Sequence, residues 1–165
     1  MTFPWDRWPR LAYLSAALVA AGLIAYALYT QYYLYLEPCP LCMWQRLFVV
    51  LLGVVFLAAA VHNPGAAAAK AYAGLIALLA LLGAAVSARH VWIQNLPPDQ
   101  VPLCQQISFG AMPFGRFLTE SLRGTGECAD KSWRLLGLTM PMWTLLCFIC
   151  FGVAAWVLAY RKRAV

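Results

Sequence analysis

The sequence predicts an all-α membrane protein, a four-helix transmembrane bundle with one long outer loop that carries a short amphipathic segment. Three observations predict it. Of 165 residues, 64% are apolar and 11% charged, against roughly 45–50% and about 25% in soluble domains, which is too little charge to cover a water-soluble globule of this size. The apolar residues are gathered into four uncharged runs, each able to supply the roughly 20 residues that cross a bilayer. One long polar connection lies between the third and fourth runs. The whole chain, 1–165, reads as a single integral membrane domain.

The first span is expected at about 11–30, within the 26 uncharged residues between Arg10 and Glu37. The second comes from the 23 uncharged residues between Arg46 and Lys70, cut short by His62-Asn63-Pro64-Gly65, a turn signal that a lipid-exposed helix cannot carry. It is placed at about 43–61. Eighteen uncharged residues between Lys70 and Arg89 give the third span, about 71–91, and 26 between Arg134 and Arg161 hold the fourth, about 140–160. The outer loops are then about 31–42 and 92–139. The longer one contains Pro97-Pro98, Pro102, Pro113, five Gly and most of the acids, which marks it as lying outside the bilayer core.

The net charge of +6 would raise nucleic acid as a partner in a soluble chain. Here half the basic residues flank apolar runs, so the charge reads as membrane orientation and no nucleic-acid partner is expected. Arg7, Arg10, Lys70, Arg161, Lys162 and Arg163 fall on one side in short flanks, which predicts cytoplasmic termini. Ala25-Tyr26-Ala27 allows a rival reading as a cleaved signal peptide, but the preceding apolar stretch is longer than the usual 7–15 residues.

Six cysteines carry the chemistry: Cys39, Cys42, Cys104, Cys128, Cys147 and Cys150. Four lie at or beyond the outer boundary, where disulfides persist if that side is periplasmic or otherwise oxidising. Pro38-Cys39-Pro40-Leu41-Cys42 opens the second span, and at a helix start the free N–H groups and dipole favour a thiolate. The spacing makes a redox-active dithiol. A zinc site completed by Cys104 and Cys128 is the alternative, but that pair stands 24 residues apart and lacks the Cys-x-x-Cys spacing, so no metal is expected.

Cys104 and Cys128 bracket a segment, 107–122, in which Phe109, Met112, Phe114, Phe117 and Leu118 alternate with Arg116 and Glu120. It reads as an amphipathic stretch on the bilayer surface. A disulfide closing this loop would stabilise it by about 3.5 kcal/mol on the chain-entropy model, which is reason enough for a structural bridge. With a second pair on the same face, thiol–disulfide exchange between the pairs becomes the better reading. Cys147 and Cys150 sit among Leu146, Phe148, Ile149 and Phe151 at mid-span depth and read as small hydrophobes.

Arg46 stands four residues after Cys42, on the same helix face and one turn deeper. Snorkelling to the headgroups would explain it, as would service to a Cys42 thiolate and a bound acceptor. His90, with Gln94 four residues on, ends the third span at about the same depth. No Gly-rich dinucleotide fingerprint is present, and a lipid-soluble oxidant remains. A quinone, ubiquinone or menaquinone, fits in polarity, its carbonyls accepting hydrogen bonds while its tail stays among the helices. Arg46, His90 and Gln94 are the candidate residues for binding it.

Four spans, Pro-Cys-Pro-Leu-Cys followed by Arg46, His90 with Gln94 beyond it, and the Cys104/Cys128 loop together resemble the DsbB family over roughly 11–160. The resemblance implies a bacterial inner-membrane, quinone-dependent oxidase that reoxidises a periplasmic thioredoxin-like donor, DsbA. It implies that Cys42 contacts quinone with Cys39 as its partner, that reduced donor attacks Cys104, that Cys128 exchanges with Cys39, and that Arg46 helps bind quinone. Gln45 stands where some members have an acid. Two rival readings are a vitamin K epoxide reductase-like enzyme, which favours a late Cys-x-x-Cys, and a four-span scaffold stapled by structural disulfides.

Overall fold

The computed structural model describes residues 4–36, 38–97, 100, 126–129, 131 and 133–160. Four helices dominate it: α1 (Pro4–Tyr33), α2 (Pro40–His62), α3 (Ala66–Gln94) and α4 (Met140–Tyr160). All four are long and apolar enough to cross a membrane. A 3₁₀ turn, Gly126–Ala129, and a two-stranded hairpin, β1 (Arg134–Leu135) and β2 (Leu138–Thr139), lead into α4.

The helix ends follow local chemistry. Cys39 takes extended dihedrals as the N-cap of α2 and Pro40 fills its first turn, where a missing N–H costs nothing. At the other end Asn63 adopts the left-handed conformation (φ 45°), and its N–H reaches the Ala59 carbonyl. Pro64 follows and Gly65 caps the start of α3, so the turn signal at 62–65 holds. The fourth helix, Met140–Tyr160, coincides with the expected span, whereas the first and third run longer than expected. α3 begins at Ala66 rather than about 71 and runs to Gln94 rather than 91; α1 starts at Pro4 and continues to Tyr33. The charges taken as boundaries, Arg10 and Lys70, lie inside helices because a basic side chain ends an apolar run without ending a helix.

Helix α1 packs on α2, α2 on α3, and α3 on α4. Alanines line the seams: Ala17, Ala20, Ala59, Ala60, Ala73, Ala80 and Ala155 are buried around Leu52, Phe56, Ile76, Phe148 and Phe151. Small side chains let apolar helices approach when no hydrophobic effect drives them together. Among the described glycines the tightest position is Gly83, where an added Cβ would lie 2.3 Å from the Phe148 ring. Phe56 bridges to Phe151 at 5.5 Å and to Tyr13 at 6.4 Å.

The outward faces carry Leu18, Val61 and Leu81, all more than half exposed, as lipid contact requires. Exposed Tyr29, Tyr32, Tyr33 and Tyr35 crowd one end of the bundle, and Trp156 and Tyr160 the other, the aromatic pattern of the two membrane–water interfaces.

The hairpin was not anticipated within the polar loop. Leu136 (φ 53°) and Gly137 (φ 81°) both lie in the left-handed region, the tight two-residue turn that fits strand twist. It pairs Arg134 with Thr139 and Leu135 with Leu138. The expected amphipathic segment at 107–122 lies outside the described residues, as do Cys104 and Glu37.

Candidate redox centre at the cysteine end of the bundle

The ends of α2 and α3 and the 3₁₀ turn form a second apolar cluster, in which Cys39, Leu41, Ile93 and Cys128 are buried against Cys42, Val86, Leu96 and Ala129. The N-cap geometry of Cys39 turns its thiol back over the first turn of α2. It donates to Cys42 Sγ at 3.1 Å and accepts from the Cys42 N–H at 3.4 Å. The predicted dithiol is therefore assembled within reach of a disulfide. Hydrogen bonding with Cys128, then with Cys42, and then burial hold the Cys39 thiol well above the ordinary cysteine range.

Cys128, 89 residues further along the chain than Cys39, is 1% exposed. Its sulfur, that of Cys39 and a ring nitrogen of His90 all lie within 4.8 Å of one another. His90 Nε2 stands 3.8 Å from Cys39 Sγ and 3.1 Å from the Cys128 carbonyl oxygen. On the opposite side of the ring, Gln45 Nε2 is 3.3 Å from His90 Nδ1. An amide N–H donating to Nδ1 leaves the proton on Nε2, which donates to the Cys128 carbonyl. Gln45 Oε1 in turn accepts from Thr144 Oγ1 at 3.1 Å. One chain of polar groups thus runs from α4 through α2 and α3 to the 3₁₀ turn.

Beside the dithiol lies a cavity of about 790 Å³, walled by Cys42, Arg46, Ala27, Trp143 and Thr144 among mostly apolar side chains. Arg46 and Cys42 share its wall, as their four-residue spacing predicts. The guanidinium is engaged by α1, where it donates to the Ala27 carbonyl at 2.9 Å and to Gln31 Oε1. These contacts hold the guanidinium against α1. His90 and Gln94 also reach the cavity. Gln94 is 5% exposed and accepts from Thr139 Oγ1 at 2.8 Å, tying the end of α3 to β2.

The late pair divides. Cys147 is half-buried and lines the cavity, whereas Cys150 is exposed on the outer face of α4. Sequence reasoning missed Gln31, Thr139 and Thr144, and treated Gln45 only as a departure from a pattern. The available signal was an uncharged polar residue inside an apolar span, which must face a partner rather than lipid.

Residues 9–158 match the family described as disulfide bond formation protein DsbB. The chain belongs to this family. A disulfide bond formation protein B of Hahella chejuensis is 48% identical over 157 residues, covering 93% of this chain and 94% of that protein. Similar proteins of the same name occur in Methylococcus capsulatus (47% over 146 residues, 87% and 89% covered) and Chromobacterium violaceum (45% over 152 residues, 90% of each). The chain is thus a DsbB-family membrane protein of disulfide bond formation, a disulfide-forming redox protein. That sets aside both the vitamin K epoxide reductase-like reading and the inert scaffold.

Proposed function

We propose that this protein oxidises a periplasmic, DsbA-like thioredoxin-fold dithiol and delivers the electron pair to a membrane quinone, ubiquinone or menaquinone. It would do so in the bacterial inner membrane with both termini cytoplasmic. The observation that carries the reading is the juxtaposition of Cys128 with Cys39, and of the Cys39–Cys42 pair with a large apolar cavity.

In this reading a donor thiolate attacks Cys104 of a Cys104–Cys128 disulfide. The mixed disulfide forms, Cys128 leaves as a thiol, and the donor's second thiol closes its own disulfide and frees Cys104. Cys128 then attacks Cys39 of the Cys39–Cys42 disulfide and releases Cys42. Cys104 resolves the Cys39–Cys128 bond, restoring the loop disulfide and leaving Cys39 and Cys42 as the dithiol. A quinone supplies the final oxidation by accepting two electrons and two protons, so that donor dithiol plus quinone becomes donor disulfide plus hydroquinone.

The residues present fit such an acceptor. A guanidinium has five N–H donors, and the two contacts to α1 leave others for a ring carbonyl at the cavity wall. The apolar remainder of the wall suits a ring and the start of a tail. His90 Nε2–H is held beside Cys39, where it can donate to a sulfur that gains charge during exchange.

The test is quinone absorbance with purified protein in detergent, a reduced thioredoxin-fold donor and a metal chelator. Donor-dependent loss of oxidised quinone is expected. Stable quinone in the presence of reduced donor would refute the proposal.

A further inference from the structure

Metal-ligand chemistry is present in the same cluster with a ligand set that spacing alone does not reveal. Cys39 Sγ, Cys128 Sγ and a His90 ring nitrogen lie within 4.8 Å of one another, all buried. Cys42 Sγ, 3.1 Å from Cys39 Sγ, is within reach of a fourth position. Around a tetrahedral zinc ion with Zn–S of about 2.3 Å and Zn–N of about 2.0 Å, ligand atoms are about 3.5–3.8 Å apart. The observed separations of 3.1 and 3.8 Å bracket that range. Donors drawn from a Cys-x-x-Cys helix start, a second helix and a separate turn are also how structural zinc sites are assembled.

We propose that the fully reduced protein binds one thiophilic divalent cation of the zinc class through Cys39, Cys128 and His90, with Cys42 completing the shell. The site exists only in the reduced state. Closing the Cys39–Cys42 disulfide removes two ligands, and drawing Cys128 into a bond with Cys104 or Cys39 removes a third. Binding releases the three thiol protons as the sulfurs bind as thiolates, so cation plus thiols becomes complex plus three protons, with no change of oxidation state. His90 turns its free Nε2 lone pair to the ion by moving its proton to Nδ1. Gln45 tolerates that change, since its amide can rotate to present Oε1 in place of Nε2. The consequence is a brake: a cation held by the reduced cluster withholds Cys39 and Cys42 from oxidation. The cluster was also assigned to electron transfer above, but metal capture is measured with neither donor nor quinone present. It therefore stands or falls separately from the oxidase reading.

The probe is Co²⁺, whose visible bands report tetrahedral geometry and whose near-ultraviolet charge transfer reports thiolate ligands. The full chain in detergent is reduced with a non-thiol phosphine and titrated, and Zn²⁺ is then added in competition. A one-to-one tetrahedral spectrum, displaced by Zn²⁺ and absent from oxidised protein, is expected. His90→Gln and Cys128→Ser should each weaken binding about tenfold or more, whereas Cys104→Ser and Cys147→Ala/Cys150→Ala should leave it within about twofold. No thiolate band in reduced protein would overturn the proposal. So would a band that survives both His90→Gln and Cys128→Ser, that requires Cys104, or that moves to Cys147 and Cys150. The comparison of reduced with oxidised wild type needs no variant and guards against misfolding of His90→Gln.

Discussion

His90 joins three elements through two ring nitrogens, since Nδ1 meets Gln45 of α2 and Nε2 meets the Cys128 carbonyl while sitting on α3 itself. The contact to the turn is made by the main chain of residue 128, not by its side chain. Cys128→Ser should therefore keep the turn in place and lose only the thiol. With reduced donor this variant is expected to leave the donor unoxidised, read on non-reducing gels after alkylation, because no Cys104–Cys128 disulfide remains to accept the donor's electrons. Cys104→Ser should abolish acceptance of electrons from the donor while quinone reduction by a small dithiol continues; equal loss of both would contradict the relay. Arg46→Gln should raise the KM for quinone about tenfold to a hundredfold, the value of one charge-assisted hydrogen bond of about 1.5–3 kcal/mol. Arg46→Lys should recover only part of it, since an ammonium keeps the charge without the planar fork. Titrating quinone against both variants measures this, and unchanged KM values would remove Arg46 from the acceptor site. The cysteines and Arg46 were legible in the sequence because each is chemically conspicuous where it stands. Gln45 and Thr144 were not, because their roles depend on a partner 99 positions away that only helix packing brings near.

Among the elements, the helices were readable from charge-free runs, as were the turn after α2 and the extent of α4, but the ends of α1 and α3 were not. Lys70 lies a full turn inside α3 because Ala66–Ala69 are strong helix formers with no reason to stay unwound. The hairpin escaped notice because two-residue strands have no periodicity to detect, although Leu136-Gly137 between Leu135 and Leu138 is its trace. The pairing of α3 with α4 rests on Gly83, whose neighbour Phe148 is 1% exposed and has no room to move. Gly83→Ala should cost about 1–3 kcal/mol by overpacking and lower the melting temperature in detergent. Adding Phe148→Leu should recover much of the loss, whereas an unaffected Gly83→Ala would mean the two helices separate more easily than the packing implies.

At the scale of the molecule, the dithiol, the buried turn and the cavity beside them lie toward the tyrosine-rich end of the bundle. Arg46 is six residues into α2, about 9 Å along its axis at 1.5 Å per residue, so a quinone held there as proposed would keep its ring in the leaflet nearest the cysteines. In the proposed route electrons would then enter and leave on one side, and the two protons that accompany them would have no reason to traverse the bundle. Turnover should be electrically silent. Moving one elementary charge across the bilayer would be worth about 2.3 kcal/mol per 100 mV, so a reaction that moved charge would slow or quicken markedly under an imposed potential. In proteoliposomes with quinone in the bilayer and donor outside, a potassium diffusion potential of either sign should leave the rate of quinone consumption unchanged. A rate that follows the potential would mean that protons reach the hydroquinone from the far side. If the rate is flat, the cell can oxidise its exported proteins at a speed independent of how well its membrane is energised.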